Sequence, residues 1–265
     1  MLSSLSQVPK TAFYKIADAI GGQFIVEKSI GIATCSKTEI TMFGGREANL
    51  IYQRFSAPHR KFPIVGTKTL GVALSSVPEE PAGVFQGKCF HEARRKKNRA
   101  LKAGFRVEKM ALCKDFFDAM YTINMSAPIR QNRPVEDHLA DRRRVQEFCE
   151  KNVQFYGIFN CNDELRAYAH GTLCGEVFVL HRCIGHYADL RQGIMFLLML
   201  GVLTDMVKIR QLHSVPHWLQ HDSYFVSYPG LRQFKKETGF HPYRVRWRWD
   251  NQRTITALSP SAISI

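Results

Sequence analysis

Apolar positions in the early part of the chain fall in short runs broken by polar residues and turn formers. QFIVEKSIGIA, TEITMFGG and FPIVGTKTLGVAL are rich in β-branched residues and divided by Gly, Lys or Pro, which predicts a strand-like stretch from Phe24 to about Leu74. The segment SSVPEEPAG at 75–83 joins two prolines, two adjacent acids and a glycine, and reads as a linker. A soft boundary is expected there, separating a small β-rich N-terminal part (1–85) from a main domain (86–250) and a tail (251–265).

Beyond the linker the period changes to that of helices. FHEARRKKNRALKA at 90–103 is a helix closed by Gly104, FRVEKM a short strand, and 114–125 a second helix. A further helix is predicted over 135–151. Three strands follow, VQFYGIFN, LRAYAHGTLC and GEVFVLHRCIG, separated by turn residues at 160–163 and at Gly175. The run from Gly193 to Val207 contains Asp205 and is too short for a membrane span, which needs roughly 20 residues, so the helix at 190–208 is expected to be buried and no membrane partner is expected. After it come a short strand QLHSV, a loop through Tyr228, a short helix at 229–238 and an alternating strand at 241–249. The order predicts an α/β fold with a central mixed, mainly antiparallel sheet flanked by helices.

Composition narrows the classes. The 265 residues carry 37 Lys plus Arg against 23 Asp plus Glu, a formal charge of +14, with 45% hydrophobic residues, which excludes a disordered tail, a fibre or a minimal disulfide scaffold. Seven scattered cysteines form no CxxC pair and no Cys/His cluster at zinc spacing, so reduced thiols and no metal site are expected. The N-terminus lacks a secretory pattern, and a cytoplasmic location is the expectation. No GxxxxGK[ST], GxGxxG or GxSxG pattern is present.

The charge excess is focal. Arg94, Arg95, Lys96, Lys97, Arg99 and Lys102 wrap around one helix; Arg142, Arg143 and Arg144 follow IRQNRP; and Arg244, Arg246 and Arg248 take one face of the last strand while Tyr243, Val245, Trp247 and Trp249 take the other. Each group fits phosphates, and together they suggest nucleic acid, DNA or tRNA, as a partner. Each also fits a solvated face, and the last fits an edge strand that uses charge against edge pairing. Trp218, Tyr224, Trp247 and Trp249 are available for stacking on bases or for the core. His213, His217 and His221 would align on a helix, but Pro216 opposes one there.

Two stretches carry a family resemblance. RRKKNRALKAGFRV at 94–107, with DFFDAMYTIN behind it, and GLRQFKKETGFHP at 230–242 resemble, in order, the entry and the late segment of the catalytic half of FemAB-like proteins, acyl and aminoacyl transferases of the GNAT superfamily of N-acetyltransferases. The resemblance covers roughly 88–249 and leaves residues 1–85 as an incomplete first half. It implies a GNAT-like fold, transfer of an acetyl, other acyl or aminoacyl group to an amine, and either acyl-CoA (acetyl-CoA) or aminoacyl-tRNA as donor. It implies that Phe234 and Lys235 lie at the catalytic centre, with the lysine stabilising the reacting acyl group, a role an ammonium beside a developing oxyanion suits. Arg191, Gln192 and Gly193 match the place where acetyl-CoA-dependent members bind pyrophosphate, with one glycine where those members have two. His186 and Asp189, at the end of the third core strand, are candidates for the base. The competing class is a non-catalytic nucleic-acid-binding protein on a transferase-like fold.

Overall fold

The computed structural model describes residues 31, 34–60, 62–111, 114–130, 133–135, 141, 143, 145 and 154–253. The apolar run at 24–30 and most of the helix expected at 135–151, with Arg142 and Arg144, lie outside these residues.

In chain order the elements are β1 (Ser36–Met42), α1 (Arg46–Ser56), β2 (Pro58–His59), β3 (Phe62–Gly66), β4 (Val72–Ser76), α2 (His91–Lys102), β5 (Arg106–Met110), α3 (Lys114–Met125), β6 (Ile129–Arg130), β7 (Arg133–Pro134), β8 (Gln154–Phe159), β9 (Leu165–Cys174), β10 (Val177–Gly185), α4 (Ile194–His213), β11 (Trp218–Ser223), α5 (Pro229–Glu237) and β12 (His241–Trp249). Eight strands form one sheet in the order β1-β12-β4-β11-β10-β9-β8-β5. β1 pairs β12 in parallel and β10 pairs β11 in parallel, and the other neighbours are antiparallel. The protein is α/β, with the mixed, mainly antiparallel sheet flanked by helices that the sequence predicts. Strands β1 and β4, from before residue 85, belong to this same sheet.

The pleat sorts the core into two sides. Tyr156 and Ile158 of β8, Ala167 and Ala169 of β9, and Phe178 and Leu180 of β10 pack with α2 and α4 in one cluster. Alternate residues of the same strands face the other way: Phe155, Phe159 and Tyr168 meet α3, and Val177 and Val179 meet α1. Helix α4 is apolar on almost its whole circumference because it lies between the sheet and α2. Its one buried carboxylate, Asp205, is held by Lys109 of β5 at 3.0 Å and by the Tyr156 hydroxyl at 2.6 Å.

Two expectations are corrected. EANLIYQRFS lies within the stretch expected to be strand-like but forms α1, because Ala48, Ile51 and Phe55 recur at helical spacing and are buried beneath it. The apolar helix starts with a 3-10 turn at Tyr187–Gln192 and then runs to His213, so the strand expected at 211–215 is the end of a helix; the strand is Trp218–Ser223. The three histidines therefore never share a helix face: His213 ends α4, His217 precedes β11 and His221 is in it.

Two histidines sit in the sheet interior. His170 is fully buried between Phe155, Tyr168 and His181, and burial, then the charges of His181 and Arg182, hold its pKa well below the usual value. His181 accepts or donates at 2.8 Å to the Thr172 hydroxyl and is pushed down to about 4 by burial, with Arg54 and Arg182 adding to the effect. Such groups bind protons more tightly in the unfolded chain, so their contribution to stability is full above the ordinary 6.5 and is lost as pH falls towards 4. Urea midpoints are expected to fall between pH 7 and pH 4.5, by up to about 1.4 kcal/mol per pH unit for each histidine, and His181→Gln should flatten the dependence. Equal midpoints at both pH values would contradict this.

Candidate functional site

The parallel pair β10/β11 is in register only from Val177–Trp218 to Val179–Gln220. Beyond that β10 runs on to Gly185 beside β9, and β11 runs on to Ser223 beside β4, so the sheet is no longer bonded across this line. Crevices outside the carboxyl ends of parallel strands are the usual place for a ligand in an α/β sheet. The residues that end β11 include several titratable groups moved from their ordinary values.

Lys235, on the inner face of α5, is completely buried. Its ammonium donates to the Ser223 carbonyl at 2.8 Å and to the Ser227 hydroxyl at 2.8 Å, and Ser227 in turn donates to the same carbonyl at 2.7 Å. An ammonium has three N–H bonds, so one is left beyond these two. Burial pushes Lys235 down from the usual 10.5 to about 8; Asp222 opposes that and Lys68 reinforces it. Asp222 has a left-handed backbone (φ 52°) at the irregularity of β11, and its carboxylate forms an ion pair with Lys68. Burial works to raise Asp222, but Lys68 and Lys235 outweigh it and hold the carboxyl low. His221 beside it is lowered to about 3 by burial and by Lys235. The result is a charged group of Lys68, Asp222 and Lys235 at the end of β11, in which Asp222 is exposed and Lys235 is buried.

Phe234, on the adjacent face of α5, packs edge-on against Phe196 in the first turn of α4. Lys96 of α2 lies over the same Phe196 ring, 4.7 Å from its centre, and pairs with Glu237 of α5 at 2.5 Å. Arg99 donates to the Arg191 carbonyl at 3.0 Å. Gly193 has φ 87°, and a side chain there would lie 2.2 Å from the Lys96 carbonyl oxygen, so only glycine lets α2 seat on the start of α4. Arg191 and Gln192 are exposed beside it.

The structure thus brings Phe234, Lys235, Lys96, Arg99, Arg191 and Gly193 into one packed unit of α2, α4 and α5. It does not bring His186 or Asp189 into contact with Lys235. They lie at the end of β10, both held by Arg166: Nε to Asp189 at 2.7 Å and Nη2 to His186 Nδ1 at 3.0 Å. A guanidinium only donates, so His186 Nδ1 accepts, and the neutral ring carries its hydrogen on Nε2. As placed, His186 is a donor and lacks a free lone pair for a proton.

The expected basic surfaces are partly occupied. Arg94 donates at 2.6 Å to the Phe85 and Gly87 carbonyls, and Arg95 pairs with Glu92 at 2.7 Å. With Lys96 and Arg99 already engaged, only Lys97 and Lys102 of the six have no hydrogen bond or ion pair among the described residues. Arg143 is exposed. On β12 the expected alternation holds, with Val245 and Trp247 buried and Arg246 and Arg248 exposed, but the strand is covered by β1 along 243–249. Of the aromatics offered for stacking, Trp247 donates to the Lys68 carbonyl, Trp249 packs on Tyr52, Trp218 on Tyr243 and Tyr224 on Phe225.

Lys68, Asp222 and Ser227 were not singled out by sequence. Lys68 lies 167 positions before Lys235 in a segment read as strand, and no spacing links the two. A single-sequence signal for Asp222 is equally missing, because its charge matters only once β11 ends beside α5.

No family model matches the chain, and no curated protein does. Among solved structures, FemX is 12% identical with a TM-score of 0.45, the match covering 65% of this chain and 59% of that one. L-PGS from Bacillus licheniformis is 13% identical with a TM-score of 0.44, over 64% of this chain and 57% of that one. A C-terminal domain (DUF2156) from Agrobacterium fabrum is 11% identical with a TM-score of 0.42, over 64% and 57%. The chain matches less than two thirds of the length of each. Among the described residues no helix is long and apolar enough to cross a membrane.

Proposed function

We propose that the protein transfers an acyl or aminoacyl group to an amine, with Lys235 donating its N–H to the carbonyl oxygen of the donor. The observation that carries this reading is a fully buried ammonium, oriented by Ser223 and Ser227, beside the place where a parallel strand pair parts. Burying an ammonium is costly, and a cation fixed in a dry site is worth most where negative charge develops. The acceptor nitrogen attacks the donor carbonyl, a C–N bond forms, the C–O or C–S bond breaks, and the amine proton leaves with the departing group or solvent. Holding the two reactants together supplies much of the rate without a covalent intermediate.

For the donor, an aminoacyl ester carried on tRNA fits better than acyl-CoA. The N–H groups at the start of α4 would have to hold the pyrophosphate of coenzyme A, but the Lys96 carbonyl oxygen is turned onto Gly193 there. An electron-rich oxygen at that spot repels a phosphate. The test offers the protein [14C]aminoacyl-tRNA or [14C]acetyl-CoA with a panel of primary amines and counts base-stable amide. Label is expected to move from the tRNA ester. Transfer from acetyl-CoA alone would overturn the donor assignment, and transfer from neither would overturn the reaction.

A further inference from the structure

We infer that the outer face of the β1/β12 edge is a binding cleft for a phosphate monoester or pyrophosphate group, separate from the Lys235 site and independent of the reaction proposed for it. A cavity of about 470 Å³ opens there, lined by Lys37, Glu39, Arg244 and Arg246 with Thr38, Thr69 and Leu70. That is in the size range of small-ligand sites.

The strand register makes this cleft unusual. Lys37 of β1 is the direct partner of Arg244 on β12, and Glu39 the partner of Arg246. The second pair is complementary: Glu39 meets Arg246 at 3.7 Å and also forms an ion pair with Arg248. The first sets like charges side by side, an arrangement that destabilises a sheet. Among the described residues neither Lys37 nor Arg244 has a hydrogen bond or ion pair that would relieve it. Three cations against one carboxylate leave the cleft with a net charge of +2, which a phosphate dianion balances. Arginine supplies a planar fork of donors matched to phosphate oxygens.

The wall formed by Thr69 and Leu70 is rigid. The Thr69 carbonyl accepts from the Val245 N–H at 2.8 Å and the Lys68 carbonyl from the Trp247 indole at 2.6 Å. Side chains on this strap face two ways, since Lys68 itself turns to Asp222. A phosphate in the cleft therefore lies next to the segment that carries the counter-ion of Asp222.

Isothermal titration calorimetry with inorganic pyrophosphate, AMP and adenosine tests the assignment. Pyrophosphate and AMP are expected to bind one per chain and adenosine not at all; if pyrophosphate binds and AMP does not, the cleft takes the free ion. The Lys37→Gln/Arg244→Gln variant should weaken pyrophosphate by at least about tenfold, whereas Lys102→Gln, an exposed cation on α2, should leave it unchanged. Glu39→Gln removes the competing carboxylate and should tighten binding by about three- to tenfold, a gain that no loss of folding can mimic. Absence of saturable binding to wild type, adenosine binding as well as AMP, an equal loss in Lys102→Gln, or no gain in Glu39→Gln each overturns the assignment.

Discussion

Lys235→Met is expected to slow transfer by about 10²–10³-fold while leaving the protein at least as stable as the wild type. The two halves of this result come from the same burial. The ammonium has lost its water, and the fall from 10.5 to about 8 corresponds to roughly 3 kcal/mol against the charged form. The unfolded chain holds that proton more tightly, so between pH 8 and 10.5 the lysine's contribution to stability rises with pH. A methionine fills the same slot without the charge, and Ser227 and Ser223 stay bonded to each other when the lysine is gone. Thermal unfolding should show an unchanged or raised midpoint. Turnover should drop about 10²–10³-fold, the usual effect of deleting one donor to a developing oxyanion.

The pH profile adds a readout that packing alone would not move. The ammonium is the active form, so kcat should fall as pH rises through about 8. Lys68 and Asp222 are the charged groups facing the amine, with His221 beside them, neutral above about 3. Lys68→Met removes a repelling cation and should move the alkaline limb upward; Asp222→Asn removes an attracting carboxylate and should move it downward. A profile that ignores both variants, or Lys235→Met turning over at the wild-type rate, would remove Lys235 from the chemistry.

Asp205→Ala is expected to be the most destabilising single change, costing about 3–5 kcal/mol, because it strands the Lys109 ammonium against α4 without a partner. Tyr156 keeps a bond to Gln154 at 2.9 Å and suffers less. Lys109→Met alone should also be costly, since the carboxylate is then left with only the tyrosine hydroxyl. The double variant Lys109→Met/Asp205→Leu removes both charges from an apolar surrounding and should recover most of the loss. Urea denaturation of the four proteins gives the coupling directly. Single and double variants losing equal amounts in simple addition would show that the pair does not act as a unit.

The alternation of β8 to β10, the all-round apolarity of α4 and the closure of α2 by Gly104 were legible in the chain. Each is local: a pleat of period two, a helix that must be buried, and a left-handed residue (φ 80°) that glycine adopts freely. Helix α1 was missed because its apolar spacing lies among β-branched neighbours, and the end of α4 because polar residues after 208 look like a boundary while the backbone continues to His213. At the candidate site the Phe-Lys pair of α5 was offered by a resemblance to a family. Its environment was not. That Lys235 is dry, that Asp222 and Lys68 face it, that Arg166 occupies His186 and Asp189, and that Lys37 sits opposite Arg244 all depend on strands brought together from distant parts of the chain. Charge in a sequence is a count, and only the folded sheet sets the distances and the solvent exclusion that turn it into an energy.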